Sequence, residues 1–256
     1  MNRDRAASGG PLVSVVTVCL NAASTIPATM ESLRSQRHQD FEWVVIDGGS
    51  TDGTREFLDQ HRAMIAHFAS GPDGGIFDAM NKGVRAATGQ WVLFLNADDA
   101  LADPAVLHDL SRQLHAAGEG VVVVYGDVLY TDGARTWLRR FDWITRKNLL
   151  FGDLCHQGVF ARRSAFQALG EFDATLELNA DYEWLLRVFA SPFEVRYVPR
   201  VVATFFAGGR HSRDPGRLMA ERLMVRKRFA TPSELMFGEL RFRVAQKLRK
   251  WFRRST

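Results

Sequence analysis

Cysteine is scarce: the 256 residues hold two, Cys19 and Cys155, both in apolar company. A disulfide framework is not indicated, and a buried reduced thiol is the expectation for each. His156 follows Cys155, but no second Cys or His pair stands at zinc-ligand spacing, so a zinc site is not indicated either. No apolar run approaches eighteen residues, which removes a membrane-spanning helix. Internal repeats and low-complexity stretches are missing, and no linker marks off independent domains. The first strand is not followed by G-x-G-x-x-G, so the chain lacks a Rossmann dinucleotide loop.

What is present is an ordinary globular balance, 46% apolar and 24% charged, in a chain long enough to bury a proper core. The net charge of +4 is unevenly spread. Basic residues crowd the chain after Arg210, with Asp214, Glu221, Glu234 and Glu239 to oppose them. Residues 1–10 are polar and expected to be disordered. Leu12 to Ala23 follows two arginines and mimics a signal peptide, but the same segment reads as a first strand, and secretion is not expected.

The pattern then alternates. Strands are expected at Val13–Val18, Phe41–Ile46, Met64–Ala69 and Gln90–Leu95, with helices at Thr25–Gln36, Thr54–His61 and Ile76–Ala87 between them. A helix opening at Asp103-Pro104 leads to a buried strand at Gly120–Tyr125, and Thr131-Asp132-Gly133 turns a hairpin. Phe193–Val198 and Val201–Phe206 read as closing strands and Leu218–Phe229 as a helix. The strand W-V-L-F-L is apolar on both faces, as in a central strand covered on both sides. Asn96, Asp98 and Asp99 follow it directly, where open α/β sheets bind their ligands. Adjacent acids repel one another, and a divalent cation with oxygen ligands relieves that repulsion. Asp47-Gly48-Gly49-Ser50-Thr51-Asp52-Gly53-Thr54 follows the second strand. Its glycines free the backbone for a close approach, Asp47 can accept from a base or ribose donor, and Asp52 reads as a helix cap.

N-A-D-D after a buried strand, preceded by D-G-G-I-F-D-A-M-N-K-G-V-R-A-A-T-G, resembles the Asp-X-Asp region of family 2 glycosyltransferases. The resemblance runs from Val13 to about Ser212 and includes the octet at Asp47 and the stretch Leu178–Arg187. It implies a GT-A fold: an α/β domain with a mostly parallel central sheet flanked by helices, followed here by a basic helical tail. The divisions are residues 1–10, a transferase domain over 11–230 with donor half 11–125 and acceptor half 126–230, and a basic amphipathic helix over 231–256. The implied activity is inverting transfer of a sugar from a nucleotide-diphosphate sugar to the hydroxyl of a saccharide or lipid-linked saccharide, in cell-surface polysaccharide or lipid-linked oligosaccharide synthesis.

The resemblance also implies roles. Asp181, at a helix start, is the candidate general base, with Glu183 as the alternative and helix capping as the bland reading. Asp98 and Asp99, with His211 from the loop Gly208–Ser212, are candidate ligands of Mn²⁺ or Mg²⁺. Lys82 and Arg210 are candidates for the diphosphate, Thr17, Asn21 and Asp47 for the nucleoside. Asp98 also serves the donor, and Asn96 replaces the first Asp of many relatives, able to bond a ribose hydroxyl without adding charge. Gly48 stands where many relatives have a second acid, which leaves the nucleotide base open.

Two rival classes are weighed. A nucleotidyltransferase usually carries a glycine-rich loop with Arg and Lys after its first strand, and V-T-V-C-L-N-A-A-S has none. A nucleic-acid binder would explain the basic tail, but no recognition motif accompanies it. In that tail Leu240, Val244, Leu248, Trp251 and Phe252 fall on one helical stripe, with Arg241, Lys247, Arg249, Lys250, Arg253 and Arg254 around it. Such a helix either packs its apolar stripe on the domain or lies on an anionic membrane surface. The second is favoured for so dense a basic face, and with the resemblance it implies a location that is cytoplasmic, peripheral at the cytoplasmic face of the inner membrane.

Overall fold

The computed structural model describes residues 10–208 and 214–238. Its first half is a parallel sheet built on β1 (Val13–Cys19), a β-branched run buried along its whole length. β2 (Phe41–Asp47) and β4 (Trp91–Phe94) pair with β1 on either side, and β3 (His67–Ser70) pairs with β2, all in parallel. The crossovers are α1 (Ile26–Arg34), α2 (Thr54–Gln60) and α3 (Ile76–Ala86). Arg62–Met64 forms a single 3₁₀ turn, so the strand expected from Met64 begins only at His67.

The second half adds β5 (Ala100–Leu101), α4 (Val106–His115), β6 (Val121–Thr131), β7 (Thr136–Arg139), α5 (Arg146–Phe151), β8 (Val159–Arg162), α6 (Arg163–Leu169), α7 (Ala180–Ala190), β9 (Glu194–Phe206) and α8 (Pro215–Phe229). Residues 232–238 are also helical. Among the described residues nine strands form one sheet in the order β3-β2-β1-β4-β8-β6-β9-β5, with β7 paired to β6. The sheet is mixed. Four of its strand pairings are parallel and four antiparallel, the latter because β8 lies antiparallel between β4 and β6, β7 returns on β6, and β5 meets β9 head to tail. β9 is a single strand where two are expected. Its Pro199 has no N–H to give, and the register shifts there, between the Tyr125–Tyr197 and Asp127–Val201 pairs.

Both sheet faces are covered. On one face Ile26, Met30 and Leu33 of α1, Leu58 of α2 and Leu107, Leu110 and Leu114 of α4 pack against Val15, Trp43, Trp91 and Phe160. On the other, Phe77, Met80 and Val84 of α3, Phe166 of α6 and Trp184, Leu185 and Val188 of α7 pack against Val16, Val44, Val92 and Val123. Each such side chain contributes about 1.5–3 kcal/mol when fully buried, so this double layer is what holds the strand ends still. Cys19 and Cys155 are buried free thiols, as expected. The expected basic helix over 231–256 lies, from residue 239 onward, outside the described residues.

Candidate active site

The carboxyl ends of β1, β2 and β4 open on the same edge of the sheet, and the expected donor residues follow them. Asn21 stands at φ 52°, a left-handed conformation that Asn tolerates. Its N–H donates to Ser50 Oγ (2.7 Å) and its Oδ1 accepts from Thr51 N (3.0 Å), so it shapes the loop after β2. Asp47 ends β2 almost fully buried, accepting from Ser50 N, Ser50 Oγ, Ser70 Oγ (2.6 Å) and Cys19 Sγ. Burial opposes its charge, but the Ser50 and Ser70 donors outweigh burial and hold the carboxyl below the usual carboxylate range. Burial, then the nearby Asp47 carboxylate, push the Cys19 thiol up and keep it protonated. Asp52 accepts from Thr54 N (3.1 Å) and Ala23 N (3.0 Å), so it fixes the loop, while the cap position of α2 is taken by Gly53 and not by Asp52.

Thr17 is a correction. Its hydroxyl is fully buried, donates to Leu95 O (2.8 Å) and accepts from Trp43 Nε1 (2.8 Å). Both capacities are used inside the core, so it does not reach a nucleoside. Lys82 lies beside the Gly71–Gly75 loop, but its ammonium pairs with Asp78 (2.9 Å) one helical turn away. Arg210 and His211 lie outside the described residues.

The two acids after β4 part ways. Asp98 is exposed at the cleft, although the protein around its carboxyl raises its pKa through partial desolvation. Asp99 is buried: Gln157 Nε2 donates to its Oδ2 (2.8 Å) and the Phe206 N–H to its Oδ1 (3.3 Å). Burial first, then Asp98, push its carboxyl up to about 7. Asp99 as placed is a buried brace between the donor motif, β9 and the turn His156–Gly158, and the expectation that it ligates a cation is corrected on that ground. Among the described residues no group of three or more His, Cys, Asp or Glu is arranged to hold a metal.

A cation's fit therefore rests on a thin set of oxygen donors. Asp98 offers an open carboxylate, and Asn96 Oδ1 is buried without a hydrogen-bond partner among the described residues. Hard cations of the Mg²⁺ or Mn²⁺ type are commonly held by one or two carboxylates plus substrate phosphates, so the residues present fit such an ion.

Asp181 enters from the other half. It lies in the first turn of α7 with a side chain 14% exposed, and its Oδ2 is 2.8 Å from His156 Nδ1. His156 Nε2 is in turn 3.5 Å from Asn96 Nδ2. Burial works against a charged His156 ring, but the Asp181 carboxylate overrides it and raises the ring's pKa. The approach to α7 is fixed by α8, whose buried Glu221 accepts from Glu177 N (3.1 Å) and Leu178 N (2.9 Å). Glu183, the alternative base, pairs with Arg187 (2.9 Å) and is buried. In the sequence, H-Q-G-V-F-A-R-R-S-A-F, opening at His156, resembles the family segment that flanks the acceptor cleft, but no individual role follows from it for His156 or Gln157, and none for Glu221. The pair His156-Gln157 just ahead of a buried strand was the available signal, and nothing local marks Glu221.

Comparison with known proteins gives a consistent result. The model for "Glycosyl transferase family 2" matches residues 14–178. A PGL/p-HBAD biosynthesis glycosyltransferase of Mycobacterium tuberculosis is 36% identical over 202 residues, covering 76% of this chain and 77% of the relative. An uncharacterised glycosyltransferase of the same species is 30% identical over 207 residues, covering 75% and 74%. The crystal structure of residues 1–349 of Staphylococcus aureus TarS, in complex with UDP, superposes with a TM-score of 0.64 at 19% identity. That match covers 76% of this chain and 60% of the TarS chain. The mannosyltransferase PcManGT of Pyrobaculum calidifontis, in complex with GDP-Man and Mn²⁺, gives 0.61 at 17% identity over 94% of this chain and 83% of that one.

Proposed function

The chain belongs to glycosyl transferase family 2, and from that premise we propose that it transfers a sugar from a nucleotide-diphosphate sugar to an acceptor hydroxyl with inversion at the anomeric carbon. The observation that carries this reading is the hydrogen-bonded line Asn96–His156–Asp181. It brings an acid at the start of α7 to the residue that opens the N-A-D-D motif.

Asp181 acts as general base. As the acceptor oxygen forms its bond to C1 of the sugar, its proton passes to the Asp181 carboxylate. The C1–O bond to the diphosphate breaks, and the leaving group keeps the electron pair. One direct displacement with one base gives inversion. Asn21 and Asp47 shape the nucleoside end of the cleft, and Asn96 and Lys82 stand at the sugar-phosphate end. Asp98 and the amide oxygen of Asn96 would hold a divalent cation, which when bound offsets charge on the departing diphosphate. The transferase unit is residues 11–230, with donor half 11–125 and acceptor half 126–230.

The relatives named for PGL/p-HBAD biosynthesis support a saccharide or lipid-linked acceptor of the cell surface. Among the described residues no helix is long and apolar enough to cross a membrane. Reaching such an acceptor from the cytoplasmic face is assigned to the basic stretch 239–256. The test is a melting-temperature screen with UDP and GDP, with and without Mn²⁺, followed by turnover of Asp181→Asn. Stabilisation by one diphosphate that depends on Mn²⁺, and a fall in turnover of about 10² to 10⁴ with donor affinity kept within a few-fold, is the expected result. Near-normal turnover by Asp181→Asn rejects the base assignment.

A further inference from the structure

His156 stands between the donor motif and the base, and its two ring nitrogens face different partners. Nδ1 is 2.8 Å from Asp181 Oδ2, and Nε2 is 3.5 Å from Asn96 Nδ2. The His156 and Asp181 side chains are 11% and 14% exposed, so the contact is sheltered from water, where a charge-assisted hydrogen bond keeps its geometry. The ring has little room to swing. Gln157 next to it is anchored on Asp99 (2.8 Å) and accepts from Cys155 Sγ (2.8 Å). Gly158, which closes the turn, is pressed so close to β6 that a Cβ there would lie 2.8 Å from Val128 and 2.9 Å from Gly126 O.

The donors and acceptors set the ring's state. A carboxylate only accepts, so the nitrogen facing Asp181 carries a proton, and an amide N–H donates, so Nε2 offers its lone pair. The neutral ring is therefore the Nδ1–H tautomer.

We propose that His156 is the positioning residue for the base: its Nδ1–H orients the Asp181 carboxylate, and its Nε2 tether to Asn96 sets that orientation relative to the donor motif. This rests on Asp181 being the base. His156 takes no proton from the acceptor and touches no reacting atom. It acts by keeping Asp181 aimed, and a misplacement of about 1 Å in such a group costs on the order of 10²-fold in rate.

Two substitutions separate the halves of the role. The amide nitrogen of Asn lies as many bonds from Cβ as Nδ1 does, and that of Gln as many as Nε2 does. His156→Asn therefore keeps the donor to Asp181, whereas His156→Gln keeps only the reach toward Asn96. Turnover is read as nucleoside diphosphate released from UDP-N-acetylglucosamine or GDP-mannose with Mn²⁺, whichever the wild type cleaves. The expected result is a fall in kcat of about 10²-fold for His156→Gln with donor KM kept within a few-fold, and recovery of most of that loss by His156→Asn.

A second readout needs no ligand. In the full chain labelled with ¹⁵N-histidine, the His156 ring is assigned by its absence from His156→Asn. It should hold the Nδ1–H tautomer once it is neutral and lose that preference in Asp181→Ala. An Nε2–H tautomer in the wild type, or equal turnover for the Asn and Gln variants, overturns the proposal. If Asp181→Asn turns over normally, the base reading fails. If Asp181→Asn is inactive while every His156 variant turns over normally, the positioning role alone fails.

Discussion

Asp98 and Asp99 are neighbours in sequence and opposites in situation, one open to the cleft and the other buried under Gln157 and the Phe206 N–H. Substitution should separate them. Asp99→Ala strands two buried donors at a cost of about 1–3 kcal/mol each, so the melting temperature should fall with no nucleotide or metal present. Asp98→Ala removes an exposed carboxylate and should leave the apo melting temperature within the roughly 0.5 kcal/mol typical of surface changes. It should instead abolish stabilisation by UDP or GDP plus Mn²⁺. The measurement is a thermal melt of both variants with and without those ligands. This difference was not legible in the sequence, because adjacent residues after a strand point apart and the groups that cover Asp99 come from positions 157 and 206. The position of Asp181 was legible, since the apolar spacing of Trp184, Leu185 and Val188 marks the helix and the acid falls in its first turn. Thr17 was misread for a related reason. In β1 both faces are buried, so a polar residue there turns to the core as readily as to the cleft.

The crossover elements of the donor half were legible because each carries a helical or strand period between clear breakers. β5 and β8 were not: both are short, and they are defined by partners far along the chain. α3 offers the sharpest test of element packing. Gly83 lets it lie directly on β1, and a Cβ there would sit 2.3 Å from Val16 Cγ1. Gly83→Ala should cost about 1–3 kcal/mol by overpacking, seen as a lower urea midpoint with an unchanged m-value. Gly118→Ala, with nothing within 4 Å of the added Cβ, is the near-neutral control. At α8, Glu221→Ala strands the Leu178 N–H and should lower both stability, by about 1–3 kcal/mol, and turnover, because α7 then loses its fixed approach.

Across the whole molecule, Arg200 of β9 joins the Asp103 carboxylate (2.7 and 2.8 Å) and Asp109 (3.0 Å) at the opposite edge of the fold. The Arg200 guanidinium holds the Asp103 carboxyl below its usual range. Such a lowered group contributes stability in full above the unfolded value of about 3.9 and loses it as pH falls through the folded value. Arg200→Ala should therefore lower stability at pH 7, by less than about 1 kcal/mol because the Asp103 side chain is 43% exposed, and its gap to the wild type should narrow as pH falls below about 3.9. Deleting residues 239–256 should release the protein from anionic vesicles and leave nucleotide-diphosphate binding intact, as sedimentation with vesicles would show. The brace on Asp99 also bears on synthesis. The carboxylate waits for an N–H that is 107 residues further along the chain, and β5 pairs with a strand as remote. A ribosome making this protein vectorially thus completes the first four strands long before it can close the floor beneath them. Nascent chains arrested with residue 190 at the tunnel exit should resist proteolysis over residues 11–95 yet be cut near residue 99, and that cut should vanish once residue 206 has emerged.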